Sequence, residues 1–263
     1  MPLTLENRIA VITGAANGIG RALALQAAKD GMHLALADKD QTELSALAAT
    51  LRAQGVQVLA KTVDVRSRAA LDEFAAATET LPGDIALVFV NAGVMRAGKV
   101  WQTSPEDWDL VLDVNLKGAV HTASAFIPAL LQQQNSSRIV FTGSTSAFSA
   151  RPNLPAYSAS KHALLGLAEA LHLELAEIGA NVAVSFLAPS GVKTSIADAP
   201  DTPALNAIGG LLQAFGMPPE DLAAYAFQAL KDERYWILPH SDFKAALEKR
   251  TANIVTERDP AKP

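Results

Sequence analysis

The sequence predicts an α/β fold, a doubly wound parallel sheet of about seven strands with helices on both faces. Short apolar or β-branched runs alternate with helical segments from beginning to end, which is typical of parallel sheets with right-handed crossovers. Several runs are apolar at every position, as expected for strands covered on both faces. No linker rich in glycine, serine or proline divides the chain, so residues 1–263 are predicted to form a single domain.

The elements follow one another at short intervals. The predicted strands are Ile9–Ile12, His33–Ala37, Val56–Thr62, Ile85–Val90, Arg138–Thr142, Asn181–Leu187 and Tyr235–Leu238. The predicted helices cover residues 20–29, 41–53, 67–79, 105–133, 157–178 and 220–230.

Two stretches break this alternation. Residues 189–219 contain prolines and glycines among apolar residues and follow the carboxyl end of a strand, where ligands bind in open α/β sheets. Their apolar side chains are spaced much like one face of a short helix, so we expect an apolar substrate lid: Leu205, Ile208, Leu211, Leu212 and Phe215. The tail, residues 251–263, is expected to be frayed.

Composition excludes several classes of function. The formal net charge is −5, from 22 basic and 27 acidic residues, whereas a nucleic-acid binder would show a basic excess. The absence of cysteine excludes disulfides, thiolate zinc sites and a cysteine nucleophile. The five histidines lack metal-ligand spacing, so no metal is expected. The longest apolar run, Ile85–Val90, is too short to cross a membrane, and the first residues lack a signal-peptide pattern, so we expect a cytoplasmic protein.

A glycine-rich turn follows the first strand directly. Residues 13–20 read TGAANGIG and lead into a helix. Glycines at such a turn permit positive φ and let the backbone approach a pyrophosphate, and the helix N-terminus offers N–H groups to the anion. Asp38 ends the second strand 18 positions after Gly20 and can bind the hydroxyls of an adenosine ribose. Because NADP carries a phosphate there, Asp38 favours NAD, although Lys39 beside it is a counter-signal.

Ser144, Tyr157 and Lys161 form a second pattern. Tyr157 and Lys161 are four residues apart at the start of a predicted helix and so lie on one face. An ammonium about 5 Å away should lower the phenol pKa by about two units, into the range for general acid–base work. The hydroxyl of Ser144 could then hold the substrate oxygen while Tyr157 exchanges a proton.

These motifs together resemble the short-chain dehydrogenase/reductase family, in its single-domain form of about 250 residues. The turn at 13–20 and the Tyr157/Lys161 pair are joined by Asn91-Ala92-Gly93 after the fourth strand, by Asp64-Val65, by Asn115, and by residues 189–194, which read PSGVKT. The family has a glycine where Ser190 stands. The resemblance implies a Rossmann-type fold that covers nearly the whole chain.

The resemblance also implies a role for each matching residue. The catalytic set comprises Asn115, Ser144, Tyr157 and Lys161, with Asn115 distorting its helix to hold a water in a proton relay to the lysine. The cofactor-binding set comprises Gly14, Asn17, Gly18, Ile19, Gly20, Asp38, Asp64, Val65, Asn91, Ala92, Gly93, Tyr157, Lys161, Pro189, Val192 and Thr194. Asp64 corresponds to the acidic position that hydrogen-bonds the adenine, and Thr194 to the residue that contacts the nicotinamide carboxamide.

The function predicted from these residues is hydride transfer between NAD(H) and a secondary alcohol or ketone, with an apolar or aromatic substrate favoured by the lid and by Phe148 and Leu154. Two alternatives stay open: a 3-oxoacyl carrier-protein reductase that uses NADPH, and a dinucleotide-binding sensor without catalysis. Helices 105–133 and 157–178 are rich in alanine and leucine, and the matching helices form subunit interfaces in resembling enzymes. We therefore expect a homodimer or homotetramer with a small-molecule substrate and no nucleic-acid or membrane partner.

Overall fold

A parallel sheet of seven strands lies between two layers of helices in the computed structural model, which describes residues 3–198 and 202–260. The strands are β1 Ile9–Thr13, β2 His33–Asp38, β3 Val58–Thr62, β4 Ile85–Val90, β5 Ser137–Thr142, β6 Val182–Leu187 and β7 Trp236–Ile237. The helices are α1 Gly18–Lys29, α2 Gln41–Ala53, α3 Arg68–Thr78, α4 Pro105–Leu112, α5 Gly118–Gln132, α6 Pro155–Glu177, α7 Pro203–Phe215, α8 Pro219–Lys231 and α9 Asp242–Val255. The predicted fold class is confirmed.

Strand β1 shows why both faces of the sheet are apolar. Its five residues are all buried, and successive side chains point to opposite layers. Ala10 and Ile12 pack in the layer that contains α1 and α8, while Ile9 and Val11 pack in the layer that contains α3, α5 and α6. An aromatic pair lies in each layer, Phe89 with Phe227 and Phe74 with Phe126, and in both the ring centroids are 5.7 Å apart.

Polar residues fix the starts of several helices. The side chains of Asp40, Ser67, Ser104 and Thr202 each accept a hydrogen bond from a backbone N–H in the first turn of α2, α3, α4 and α7. Such caps satisfy N–H groups that have no partner within the helix and typically contribute about 1 kcal/mol each. They set where each helix begins relative to the preceding loop.

The predicted helix over residues 105–133 is helical to Gln132, but one turn within it departs from α-helical geometry. Helices α4 and α5 are separated by a π-helical turn over Asp113–Lys117. The side-chain amide of Asn115 forms hydrogen bonds outside the helix at this turn. A single π-turn inside a helix is a common way to place a side chain at a functional site.

Two helices of the structure, α7 and α9, are not among the helices predicted from the sequence. Helix α7 lies inside the predicted lid, of which residues 199–201 lie outside the described part of the chain. Helix α9 continues to Val255, so the predicted frayed tail overlaps a helix end, while residues 261–263 lie outside the described residues.

The segment that carries α7 is closed at its base. Val192 and Met217 form a parallel bridge, with hydrogen bonds of 2.9 Å from Met217 N to Gly191 O and 3.0 Å from Lys193 N to Met217 O. A Cβ at Gly216 would lie 2.9 Å from the backbone nitrogen of Lys193, so this close approach requires glycine. The chain that leaves the sheet after β6 therefore returns to nearly the same place before α8 begins.

The strand order is β3-β2-β1-β4-β5-β6-β7, and its direction of growth reverses between β1 and β4. In doubly wound sheets the loops leave in opposite directions at such a point and open a crevice at the carboxyl ends of the strands. The loops after β1, β4 and β5 all reach this crevice, which gives the site its location.

Candidate active site

A cavity of about 810 Å³ occupies the crevice. Every residue of the predicted cofactor-binding set lines it, as does Ser144. Asn115 is buried behind the lining, where its amide supports the loop after β4. The structure therefore brings the two predicted sets of residues together around one space.

The glycine-rich turn has the close backbone contacts that its sequence predicts. Gly14 and Gly18 have φ of +66° and +52°, in the left-handed region that favours glycine. A Cβ on Gly20 would overlap the carbonyl oxygen of Gly14 and lie 2.7 Å from its carbonyl carbon. The turn is therefore packed directly against the first turn of α1, whose residues Gly18, Ile19 and Gly20 line the cavity.

Asn91 holds this turn from the neighbouring strand. Its Nδ2 donates to the carbonyl oxygens of Thr13 at 3.0 Å and Gly14 at 3.2 Å, and its backbone N–H donates to Thr13 Oγ1 at 3.0 Å. The Asn-Ala-Gly motif after β4 thus fixes the carboxyl end of β1 and forms part of the cavity wall.

Asp38 lies at the end of β2 with both carboxylate oxygens oriented by the backbone. Its Oδ2 accepts from Ala16 N at 2.9 Å and its Oδ1 accepts from Asp40 N at 3.0 Å. Each carboxylate oxygen has two lone pairs, so both retain the capacity to accept another hydrogen bond. The carboxylate is thus oriented at the cavity wall, where two adjacent hydroxyls could bind it.

Asp64 is engaged by a neighbour that the sequence analysis did not anticipate. The guanidinium of Arg66 donates to both of its carboxylate oxygens, at 2.9 Å and 2.6 Å for Oδ2 and 3.1 Å for Oδ1. These hydrogen bonds from Arg66 are the main reason that the pKa of Asp64 lies below its usual value. Arg66 also lines the cavity, so this end presents an ion pair where a lone carboxylate was expected.

Tyr157 and Lys161 lie one turn apart at the start of α6, both buried. Pro155 occupies the first helical position, which suits its fixed φ and missing N–H. The Nζ of Lys161 lies 5.6 Å from the centroid of the Tyr157 ring and donates to the carbonyl oxygen of Thr142 at 2.8 Å. Ser144 follows β5 and is hydrogen-bonded to the Tyr157 side chain.

The expectation of a lowered tyrosine pKa is wrong for this state of the site. Burial raises the pKa of Tyr157 to about 12, and the hydrogen bond with Ser144 offsets only part of this rise. Burial also lowers the pKa of Lys161 to about 8. Removal from water disfavours the charged form of both groups, and this effect outweighs the attraction between ammonium and phenolate that the sequence suggested.

Asn115 connects the loop after β4 with α6. Its Oδ1 accepts from Val94 N at 2.8 Å, and its Nδ2 donates to Val94 O and Ser160 Oγ, both at 3.0 Å. Ser160 Oγ in turn donates to the carbonyl oxygen of Tyr157 at 2.8 Å. The π-turn therefore supports Tyr157 through a chain of hydrogen bonds, at the position where the family resemblance implies a distorted helix.

The half of the cavity beside Tyr157 is largely apolar. Met95, Leu154 and Tyr157 pack in one cluster with Ala197 and with Leu205 of α7. Several residues of this wall were not predicted from the sequence, because none of them is a motif position: Val94, Met95, Arg96, Leu110, Val114 and Arg151. The position of Met95 and Arg96 directly after the Asn-Ala-Gly motif could have indicated that they reach the cavity.

Comparison with known proteins identifies the family. The sequence model of the short chain dehydrogenase family matches residues 8–203, most of the chain. The chain belongs to the short-chain dehydrogenase/reductase family. It is thus an oxidoreductase of that family, and the resemblance seen in its motifs is confirmed.

Two named relatives and one solved structure align with most of this chain. The 1-deoxy-11-beta-hydroxypentalenate dehydrogenase of Streptomyces exfoliatus is 36% identical, and the match covers 95% of this chain and 89% of that protein. The 2,3-dihydro-2,3-dihydroxybenzoate dehydrogenase of Bacillus subtilis is 35% identical, over 83% of this chain and 85% of that protein. A short-chain dehydrogenase/reductase from Burkholderia phymatum, solved in complex with NAD, has a TM-score of 0.93 and 34% identity, and covers 99% of this chain and 98% of its own.

Within residues 3–198 and 202–260 of the oxidoreductase, no helix is long and apolar enough to span a bilayer. Within the same ranges, no group of three or more histidine, aspartate or glutamate side chains is placed to hold a metal ion.

The buried lysine of this oxidoreductase should make stability depend on pH. Because the folded pKa of Lys161 is about 8 and that of an unfolded lysine is about 10.4, only the unfolded chain holds this proton between those values. The contribution of Lys161 to the free energy of unfolding therefore rises as the pH increases from about 8 to about 10.4. Between pH 7 and pH 9.5 the free energy of unfolding should increase by about 2 kcal/mol more in the wild type than in Lys161→Met. Urea unfolding at both pH values measures this difference, and an equal increase in the two proteins would contradict it.

Proposed function

We propose that this enzyme transfers a hydride between NAD(H) and the carbinol carbon of a secondary alcohol, or the carbonyl of the matching ketone. The observation that carries the proposal is the convergence of Ser144, Tyr157 and Lys161 on the same cavity as the glycine-rich turn and Asp38. The names of two relatives, each a dehydrogenase of a hydroxylated compound, support action on CH–OH groups.

The residues present fit a nicotinamide dinucleotide. The turn is tight in the way that a pyrophosphate-binding turn needs: Gly14 and Gly18 have positive φ, and a Cβ at Gly14 or Gly20 would collide with the protein's own backbone. Asp38 offers oriented acceptors for ribose hydroxyls. The dinucleotide, when bound, supplies the carbon that accepts or donates the hydride. Pro189, Val192 and Thr194 line the cavity after β6 and would hold the nicotinamide end.

The chain's own residues handle the proton. Ser144 would orient the substrate oxygen by a hydrogen bond while the phenolic oxygen of Tyr157 takes its proton during oxidation, or gives one during reduction. The ammonium of Lys161 lies near the Tyr157 ring and would stabilise the phenolate that must form. Because both side chains are buried, that attraction acts in a region with little water and is stronger than at the surface.

The apolar cluster beside Tyr157 supports an apolar or aromatic substrate. Met95, Leu154 and Leu205 present no hydroxyl-binding groups to a polyol, and partly buried Ile196, Ile208 and Leu212 pack against them. The test is turnover with NAD+ and with NADP+ across secondary alcohols, aryl carbinols, sterols and sugars. Oxidation of apolar secondary alcohols is expected, and a polyol with a higher kcat/KM than every apolar alcohol would contradict this substrate class.

Asp38 should make NAD the preferred cofactor. A phosphate on the ribose would stand about 5 Å from its carboxylate, where repulsion is about 1–3 kcal/mol per unit charge. Since 1.4 kcal/mol is about tenfold, kcat/KM for NAD+ should exceed that for NADP+ by at least about tenfold, and Asp38→Ala should reduce this ratio. The control is Lys39→Ala, which removes the adjacent cation and should leave NAD preferred. Equal use of both cofactors by the wild type, or an unchanged ratio in Asp38→Ala, would remove this role from Asp38.

We further propose that the enzyme forms a homodimer or homotetramer through α5 and α6. These helices expose the apolar side chains of Val120, Leu131 and Leu173, the last 67% exposed, and Ile178 directly after α6 is 65% exposed. Association would remove this surface from water. Light scattering at micromolar concentration should give two or four times the 27.6 kDa of one chain, and a single-chain mass would refute the proposal.

A further inference from the structure

The carboxylates that line the cavity lie together in one of its two halves. The half beside β2 contains Asp38, Asp40 and Asp64, together with the cations Lys39 and Arg66. The half beside Tyr157 contains the cations Lys161, Arg96 and Arg151, and none of the described residues that line this half is a carboxylate. A cluster of one sign in a cleft with apolar walls raises the local concentration of ligands of the opposite sign. The half beside Tyr157 is therefore positively charged, whereas the whole chain has a net charge of −5.

Two of these cations already have partners. Lys161 donates to the carbonyl oxygen of Thr142 at 2.8 Å. Arg96 forms an ion pair with Asp107 at 2.9 Å and donates to the carbonyl oxygen of Met95 at 2.9 Å. The Arg151 side chain differs, because in residues 3–198 and 202–260 it makes neither a hydrogen bond nor an ion pair although it lines the cavity.

The backbone of Arg151 is nevertheless fixed beside Tyr157. Its N–H donates to Ser158 Oγ at 3.2 Å, on the residue next to Tyr157, and its carbonyl oxygen accepts from Leu154 N at 3.2 Å. The next loop is tied to the same place by a 2.9 Å hydrogen bond from Gly98 N to Asn153 O. The backbone of Arg151 is therefore held in place at the mouth of the cavity half beside Tyr157. Its guanidinium is an exposed cation there.

We propose that the substrate alcohol carries a carboxylate, separated from its carbinol by an apolar body, and that Arg151 binds this carboxylate. This inference rests on the proposed function. With the carbinol at Tyr157, the apolar body would contact Met95 and Leu154, and the acidic end would reach the guanidinium. Arginine suits this task because its planar fork pairs with both carboxylate oxygens. Arg151 is thus a specificity-determining residue and takes no part in the hydride or proton transfer.

The test compares acids with uncharged partners of the same shape. The substrates are 3- and 4-(1-hydroxyethyl)benzoate and their methyl esters, measured as kcat/KM with saturating NAD+. The ligands are 3- and 4-acetylbenzoate and their methyl esters, whose Kd on the enzyme–NADH complex is measured by calorimetry. For at least one ring position the acid should bind about tenfold more tightly than its ester, since a hydrogen bond between charged groups is typically worth about that factor.

Variants test whether Arg151 causes the tighter binding of the acids. In Arg151→Gln the ratio of ester Kd to acid Kd should fall about tenfold, and Arg151→Lys should restore part of it because the charge returns without the fork. The control is Arg68→Gln on α3, which removes an exposed guanidinium outside the cavity and should leave the ratio unchanged. An equal fall in Arg68→Gln would attribute the preference to net charge and overturn the assignment.

The outcomes separate this inference from the proposed function. If no acid binds more tightly than its ester, or if Arg151→Gln keeps the preference, the carboxylate proposal is overturned even where neutral alcohols are oxidised. If no alcohol of the panel is turned over with either cofactor, the proposed function fails, while the Kd ratios still decide whether Arg151 binds a carboxylate.

Discussion

Tyr157→Phe is expected to lower kcat for alcohol oxidation by about 10²-fold or more, because the variant loses the group that exchanges a proton with the substrate oxygen. The ring stays in its apolar cluster with Met95 and Leu154, so the fold should be unchanged. Binding of NADH, followed by its fluorescence, should be nearly that of the wild type. Steady-state oxidation of one apolar secondary alcohol measures the loss.

The matched control is Tyr225→Phe on α8. The hydroxyl of Tyr225 donates to the carbonyl oxygen of Leu238 at 3.2 Å and lies outside the cavity lining. Removing it deletes the same atom from a tyrosine that the mechanism does not use, so activity should be retained. If Tyr157→Phe keeps more than about a tenth of the wild-type rate, Tyr157 does not carry the proton.

Gly20→Ala is expected to weaken NADH binding by about 5- to 150-fold. The added Cβ would overlap the Gly14 carbonyl oxygen and lie 2.8 Å from Asn91 Nδ2, and both groups are held by the hydrogen bonds that join β1 to β4. The overlap is with backbone, so the turn itself must move, and an overpacked site of this kind typically costs about 1–3 kcal/mol or more. Titration of NADH fluorescence measures the affinity, and thermal unfolding measures the accompanying loss of stability.

Gly210→Ala on α7 provides the comparison for a helical glycine with open space around it. A Cβ at Gly210 meets no atom within 4 Å, and alanine is favoured over glycine in a helix interior by about 1 kcal/mol. The Tm should therefore not fall, and NADH affinity should be retained. Wild-type affinity in Gly20→Ala would show that the turn does not need its close packing on α1.

Strands and most helices could be predicted because the residue patterns that indicate them lie within each element. Ile85–Val90 is apolar at every position, and the structure gives β4 the same bounds. Helix α9 was missed because most of its residues are exposed, so its sequence lacks a strong apolar face. Helix α7 begins at Pro203, and the proline that interrupts the sequence pattern occupies the first position, where a helix tolerates it.

The site was predictable where it depends on motifs and unpredictable where it depends on burial or distant neighbours. The Gly14–Gly20 turn and the Tyr157/Lys161 pair are readable from spacing alone. The raised pKa of Tyr157 could not be foreseen, because it follows from removal of the phenol from water by residues far along the chain. Arg96 and Arg151 were missed for a related reason: each lies on a separate loop, and only the fold brings both to one cavity.

The bridge between Val192 and Met217 has a consequence for evolution. Because this bridge closes the segment that carries α7 at its base, α7 can lengthen, shorten or change sequence while Thr194 and the pairing of β6 with its neighbours are kept. The entropic penalty of enlarging a closed loop grows slowly, by about 0.6 kcal/mol for each doubling of its length. Substitutions in α7 that alter which alcohol is accepted can therefore accumulate without weakening the part of the chain that would hold the dinucleotide.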